Sequence, residues 1–141
     1  MKDVTLKITG GDFNEATGGE SVEMITEGKL YRIDNAVYLK YDETELSGME
    51  GSSTTLILED GKVSMKRVGE LSNLDEIIFE KGKRFTGKYE TPFGMFDMEV
   101  LTNNVKQDLD IDGYGDIEID YHISLDGLVD GRNKLKITVS Q

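Results

Sequence analysis

The stretch YETPFGMFDM, residues 89–98, contains the only proline of the chain. Proline fixes its own φ and has no N–H to donate to a β ladder. Pro92 therefore predicts a corner between two strands rather than the interior of one. The segments on both sides of this corner have strand patterns, which makes the chain a candidate all-β protein.

Alternation of apolar and polar residues marks the individual strands. It is strictest at residues 117–125 and recurs at residues 4–8, 96–100 and 135–139. A period of two is typical of a strand with one buried face. Between the strands at 96–100 and 117–125, the acidic segment at residues 108–116 is interpreted as a hairpin turn.

Short turns separate several of these strands. Asp34-Asn35, Asp60-Gly61 and Lys81-Gly82 each lie between two apolar segments and predict tight hairpins. Residues 71–78 also fit one face of a helix, but we interpret them as strand from Asp75 onward because Ile-Ile-Phe is β-prone.

These elements add up to about eight to ten strands in meander order, with no convincing helix. A closed barrel is favoured over a sandwich because closure removes exposed edge strands. The length of 141 residues fits one domain. The predicted fold is a single antiparallel β-barrel spanning residues 1–141.

Composition limits the partners. Sixteen basic residues against 28 acidic ones give a formal net charge of −12, which disfavours nucleic acid and membrane surfaces. The chain has no cysteine, so disulfides and thiolate metal sites are excluded, and a reducing compartment fits. No apolar stretch has the length of a signal-peptide core or a membrane helix. We expect a soluble, cytoplasmic protein.

Short blocks along nearly the whole chain carry a family resemblance. They are YLKYDE at 38–43, GMEG at 48–51, MKRVG at 65–69, FEKG at 79–82, YETPFG at 89–94 and IDY at 119–121. In this order they resemble the DUF1934 family of uncharacterised bacterial proteins, also called the YwiB-like family. The resemblance implies a calycin or lipocalin-like barrel in a bacterial, intracellular setting. It implies no activity and no catalytic residue.

Strand alternation also predicts a candidate ligand site inside the barrel. Arg67 shares a face with Val63 and Met65 and should point inward, where a guanidinium needs a partner or a bound anion. Hydroxyl side chains fall on inward positions near it. The predicted ligand-binding residues are Arg67, Tyr41, Tyr89, Thr91 and Tyr121.

Two interpretations of this interior remain open. An interior with apolar walls, a few hydroxyls and one arginine suits a small amphipathic or anionic ligand, which would make the protein a non-enzymatic binding domain. Alternatively, an inward carboxylate or backbone carbonyls neutralise Arg67, side chains fill the barrel, and the protein is a structural or protein-interaction module.

Metal binding and catalysis find little support in the sequence. Residues 108–119 resemble a calcium loop, but its twelfth position is Ile119 instead of a bidentate glutamate. His122, the only histidine, falls on the outward face with no evident partner, so no catalytic residue is predicted. No metal or cofactor is predicted. Residues 48–54 are interpreted as a loop, serving either as a lid or as a plain connection.

Overall fold

The structure is a computed structural model that describes residues 2–12, 20–42, 51–69, 73–91, 94–125 and 129–141. Side chains are described for the same residues except 11–12, 20–22, 73–75, 89–91, 125 and 129–130. The described residues form ten strands. They are β1 (Lys2–Asp12), β2 (Glu20–Ile33), β3 (Ala36–Asp42), β4 (Ser52–Glu59), β5 (Lys62–Gly69), β6 (Asn73–Glu80), β7 (Arg84–Thr91), β8 (Gly94–Leu109), β9 (Gly115–Leu125) and β10 (Val129–Ser140).

Each strand pairs antiparallel with its neighbours in the chain, and β1 pairs with β10 to close the barrel. The predicted all-β meander barrel is therefore confirmed. The ladder between β6 and β7 is short, with register pairs only at Asn73–Glu90 and Leu74–Tyr89 among the described residues. Among the described residues, backbone pairing is therefore least extensive between these two strands.

The predicted hairpin turns are confirmed. Asp34 has a φ of 55° between β2 and β3, and Gly61 and Gly82 have φ values of 72° and 77° in turns further along the chain. Pro92 and Phe93 lie outside the described residues, but Thr91 pairs with Gly94 across them. The strands on either side of the proline are thus antiparallel neighbours, as a corner requires.

The described core consists mainly of aliphatic side chains from alternate positions of the strands. Among the side chains that the structure describes, nineteen hydrophobic ones are buried, and several of these are completely inaccessible to solvent. The inaccessible ones include Leu6, Leu39, Leu56, Val63, Val100 and Ile117. This continuous core fixes the strand register, because a slip of one residue would turn every apolar side chain outward.

The predicted acidic turn is confirmed: it occupies residues 110–114, between the end of β8 at Leu109 and the start of β9 at Gly115. Before this turn, the ladder of β8 with β9 has a register shift between Thr102 and Asn104. A bulge of this kind inserts one extra residue and breaks the alternation that the sequence pattern relies on. The predicted end of the loop at residues 48–54 was wrong, because Ser52, Ser53 and Thr54 belong to β4. Residues 48–50 of that loop lie outside the described residues.

Candidate functional site

Arg67 lies on the inner face of β5, as the alternation predicts. Its Nε donates to Oγ1 of Thr54 at 3.2 Å, and Thr54 is completely buried on β4. Its Nη2 lies 4.0 Å from Sδ of Met65, another buried residue of the same face. The guanidinium is therefore held among interior side chains.

Tyr41, Thr54 and Arg67 form a polar row across three neighbouring strands. Tyr41 pairs in register with Thr54, and Thr54 pairs with Arg67. Cross-strand neighbours on one face lie close enough for direct side-chain contact. The side chain of Tyr41 is also buried, with 5% of its surface exposed. Two of the predicted site residues are thus brought together, and Thr54 joins them.

Tyr121 approaches this row from another part of the barrel. Its ring centroid lies 5.0 Å from that of Phe79, with the planes tilted by 57°. Burial raises the pKa of the Tyr121 hydroxyl above its usual value, and the positive charge of Arg67 partly opposes this rise. Since β9 is four strands from β5 in the barrel order, the charge of Arg67 reaches Tyr121 through the interior.

Tyr89 and Thr91 occupy alternate positions of β7, where they pair with Phe96 and Gly94 of β8. Their side chains lie outside the described set. Their predicted place in the site therefore stays a prediction.

Two buried hydroxyls that the sequence analysis missed are without partners. Ser52 Oγ and Thr102 Oγ1 have no hydrogen-bond partner among the described residues, although these two residues are only 2% and 1% exposed. Ser52 lies two positions before Thr54 on the same inner face, and Thr102 pairs in register with Tyr121. A buried polar group without a partner costs about 1–3 kcal/mol, so a bound polar molecule would remove that cost.

The polar side chains on the inner face of the barrel can bind a carboxylate and form hydrogen bonds with a ligand. A guanidinium presents several N–H donors that match a carboxylate, and the hydroxyls of Tyr41, Ser52 and Tyr121 can each donate or accept a hydrogen bond. The surrounding aliphatic core suits the apolar part of a ligand.

The prediction that His122 has no evident partner was wrong, because His122 contacts Asn103 on the outer wall of the barrel. His122 is exposed, but its Nδ1 lies 3.0 Å from Nδ2 of Asn103, the residue at the bulge of β8. The same Nδ2 donates to Oδ1 of Asp120 at 3.2 Å, and Arg132 donates to both oxygens of Asp120 at 2.9 and 2.6 Å. Alternation places Asn103 on the outward face, but its contact with His122 follows only from the pairing of β8 with β9.

The ion pair between Arg132 and Asp120 should make stability depend on acidity. The hydrogen bonds from Arg132 lower the pKa of Asp120 despite the opposing effect of burial. A lowered folded-state pKa stabilises the fold above the ordinary carboxyl pKa, and this stabilisation is lost as pH falls through the lowered value. Arg132→Met should therefore cost about 1 kcal/mol at neutral pH and much less at an acidic pH below the lowered pKa of Asp120.

Urea unfolding of the variant at both pH values tests this expectation. Lys136→Met is the control, because Lys136 lies 3.9 Å from Glu118 in a pair whose side chains are about half exposed. It should cost under about 0.5 kcal/mol at neutral pH. An equal loss for Arg132→Met at both pH values would show that packing, not the charge, is responsible.

The acidic turn between β8 and β9 is held by its own carboxylate. Asp110 Oδ1 accepts hydrogen bonds from the backbone N–H groups of Asp112 and Tyr114, at 2.9 and 3.0 Å. Within the described ranges, no group of three or more His, Asp or Glu side chains is arranged to hold a metal ion. The described part of the chain also contains no helix with the length and apolar character needed to cross a membrane.

Comparison with known proteins agrees with the observed fold. A family model described as "Domain of unknown function (DUF1934)" matches residues 6–137. The crystal structure of the ywiB protein from Bacillus subtilis superposes with a TM-score of 0.74 at 21% sequence identity, covering 99% of this chain and 92% of that one. No curated protein matches the sequence. The structural likeness extends to the fold alone, since the identity is low.

Proposed function

The chain belongs to the DUF1934 family of domains of unknown function, and from this premise we propose that it is a non-enzymatic binding domain for a small amphipathic anion. The ligand is a molecule with a carboxylate head and an apolar tail, held inside the barrel. Arg67 binds the head, and Tyr41, Tyr121, Tyr89 and Thr91 line the site.

One observation carries this proposal: the part-buried guanidinium of Arg67 lies on the inner face of an aliphatic barrel, where it donates to a fully buried threonine. A guanidinium has five N–H donors, which suit the two oxygens of a carboxylate head. The unpartnered hydroxyls of Ser52 and Thr102 add to the argument, because a ligand would give them hydrogen bonds. The acidic, cysteine-free composition supports a cytoplasmic setting.

A titration with octanoate tests the proposal. Octylammonium and octanol are the matched probes, since they keep the tail and change only the head group. Specific ¹³C labels on the tyrosine rings report binding through NMR shifts at Tyr41 and Tyr121. Octanoate should shift both signals to saturation. Arg67→Met should weaken octanoate about tenfold or more, because a charge-assisted hydrogen bond is lost.

Arg67→Met also separates the contribution of the head group to affinity from that of the tail. Arg67→Met should leave octanol binding unchanged, and Arg67→Lys should retain part of the octanoate affinity. If octanoate shifts neither tyrosine, the barrel is packed and the protein is an interaction module. Equal octanoate affinity in wild type and Arg67→Met would remove Arg67 from the site.

A further inference from the structure

A second row of polar residues crosses the inner face of the barrel on β8, β9 and β10. Thr102 pairs in register with Tyr121, and Tyr121 pairs with Asn133. Register partners share a face of the sheet. That face is the inner one, because Thr102 and Tyr121 each lie two positions after a buried aliphatic residue, Val100 and Ile119 respectively. We call Thr102, Tyr121 and Asn133 the neutral row, since it consists of a hydroxyl, a phenol and an amide.

The neutral row faces the row of Tyr41, Thr54 and Arg67, which we call the arginine row. The central strands of the two rows, β9 and β4, are five strands apart in either direction around the closed barrel. They therefore lie on opposite walls. The positive charge of Arg67 partly opposes the burial that raises the pKa of Tyr121, so these two side chains are within electrostatic reach of each other across the interior.

The neutral row contains a buried hydroxyl that needs a hydrogen-bond partner. Thr102 is 1% exposed, and its Oγ1 has no partner among the described residues. The backbone of Thr102 is fixed, because its N–H donates to the oxygen of Lys83 at 3.2 Å and its oxygen accepts from the N–H of Gly82 at 2.9 Å. The hydroxyl is thus held in place on the inner face. A ligand group that forms one hydrogen bond there would satisfy it.

Aliphatic side chains beside the neutral row are only partly buried. Ile123 and Leu135 lie next to the row on the inner faces of β9 and β10, and both pack against the core while keeping part of their surface accessible. Nearer the turn of residues 110–114, Ile117 and Val139 on the same two faces are buried, with at most 2% exposed. Accessible apolar surface therefore lies beside the neutral row, where an alkyl chain can contact it.

We propose that the interior ligand is a hydroxylated aliphatic carboxylate, whose hydroxyl binds to the neutral row while its carboxylate binds to Arg67. This inference rests on the proposed binding of a carboxylate inside the barrel and adds a second recognition point. A hydroxyl suits the neutral row because it both donates and accepts hydrogen bonds, as do the side chains of the row. A second charged group does not suit it, because the row offers no opposite charge to offset the cost of leaving water.

The width of the barrel requires a hydroxyl that is remote from the carboxylate. Ten strands about 4.8 Å apart and tilted by about 40° form a barrel roughly 20 Å across at the backbone. The side chains of Arg67 and Tyr121 extend over part of this width from opposite walls, and an alkyl chain of several carbons spans the rest. A hydroxyl next to the carboxylate would stay on the side of the arginine row.

The test compares three ligands of equal chain length: octanoate, ω-hydroxyoctanoate and α-hydroxyoctanoate. NMR titrations of the ¹³C-labelled tyrosines measure each affinity. The ω-hydroxy acid should bind about fivefold more tightly than octanoate, because it gains a buried hydrogen bond. The α-hydroxy acid should gain nothing, since its hydroxyl does not reach the neutral row. Thr102→Val, which keeps the shape of the side chain and removes its hydroxyl, should abolish or reverse the preference for the ω-hydroxy acid.

Two further variants serve as controls. Thr102→Ser keeps a hydroxyl and should retain the preference. Ser52→Ala removes the other unpartnered hydroxyl, on the opposite wall, and should change the affinity for octanoate and for the ω-hydroxy acid by the same factor. If octanoate binding depends on Arg67 but the ω-hydroxy acid gains nothing, or if Thr102→Val keeps the preference, this inference is wrong and the carboxylate site stands. If octanoate does not bind, the proposed function fails and the inference fails with it.

Discussion

Replacing Gly115 with alanine should lower the free energy of unfolding by about 4 kcal/mol. Gly115 begins β9 with a φ of 145°, a conformation that residues with a Cβ rarely adopt. A Cβ at this position would lie 1.9 Å from the backbone oxygen of Asp108 on β8. Because that neighbour is backbone, the ladder itself would have to shift. Backbone strain and ladder distortion therefore add.

Gly61→Ala is the matched control. Gly61 also has a positive φ, of 72°, but a Cβ added there would meet no heavy atom of the described residues within 4 Å. It should cost only about 1 kcal/mol, from backbone strain alone. Urea unfolding of both variants, followed by far-UV circular dichroism, measures the difference. Equal losses would mean that β8 yields locally and that the close approach at Gly115 is not a constraint.

The position of Gly115 explains the size of this effect. It pairs with Leu109 at the end of β8, next to the turn of residues 110–114. That turn is tied to the first two strands, since Lys2 donates to the backbone oxygen of Asp112 and Arg32 donates to that of Ile111 at 2.7 Å. A shift of β9 would therefore disturb contacts with β1 and β2 as well as with β8.

Features set by neighbouring residues could be predicted from the sequence. The turns at Asp34, Gly61 and Gly82 need residues that tolerate positive φ, and the sequence places Asp or Gly there. Alternation likewise identified the inward face of β5, and with it Arg67. Each of these inferences depends on fewer than about ten consecutive residues, within which local patterns are informative.

Features set by contacts between distant strands could not be predicted. The bulge at Asn103 is visible only in the pairing of β8 with β9, so the contact of Asn103 with His122 was missed. The unpartnered hydroxyls of Ser52 and Thr102 depend on what surrounds them in three dimensions. Ser52 carried no signal beyond its inward parity with Thr54, and that signal was obscured by the predicted loop.

Apolar neighbours on the outer wall depend on the register as well. Tyr38 and Ile57 look like ordinary outward residues of separate strands, since single exposed apolar residues are common on protein surfaces. Only the pairing of Tyr38 with Ile57, and of Ile57 with Ser64, makes them one surface. A sequence pattern read strand by strand does not contain this information.

The second large expected effect concerns β6, which has few register pairs with β7 among the described residues. Phe79→Ala should lower the free energy of unfolding by about 4 kcal/mol, within the range for a buried phenylalanine. Phe79 is 2% exposed and packs on the ring of Tyr121 at 5.0 Å. Its strand, β6, has a longer ladder with β5, but among the described residues it has only two register pairs with β7. Side-chain packing must therefore replace the missing backbone hydrogen bonds on that side.

Phe85→Ala is the matched variant on β7, the other strand of this short ladder. Phe85 lies on β7, which keeps a complete ladder with β8, and its side chain is only partly buried. It should cost about 1–2 kcal/mol. Tyr121 supplies a second measurement, because removing the Phe79 ring opens space beside the ring of Tyr121. Partial hydration should then bring the raised pKa of Tyr121 back toward its usual value.

Unfolding in urea and ¹³C NMR titration of labelled Tyr121 measure the two consequences of Phe79→Ala separately. Phe79→Leu should recover most of the stability, since it refills much of the volume. Equal costs for Phe79→Ala and Phe85→Ala would show that β6 is held by its ladder with β5 alone. An unchanged Tyr121 titration alongside a large stability loss would show that the interior collapses around the smaller side chain, with no gap left at the site.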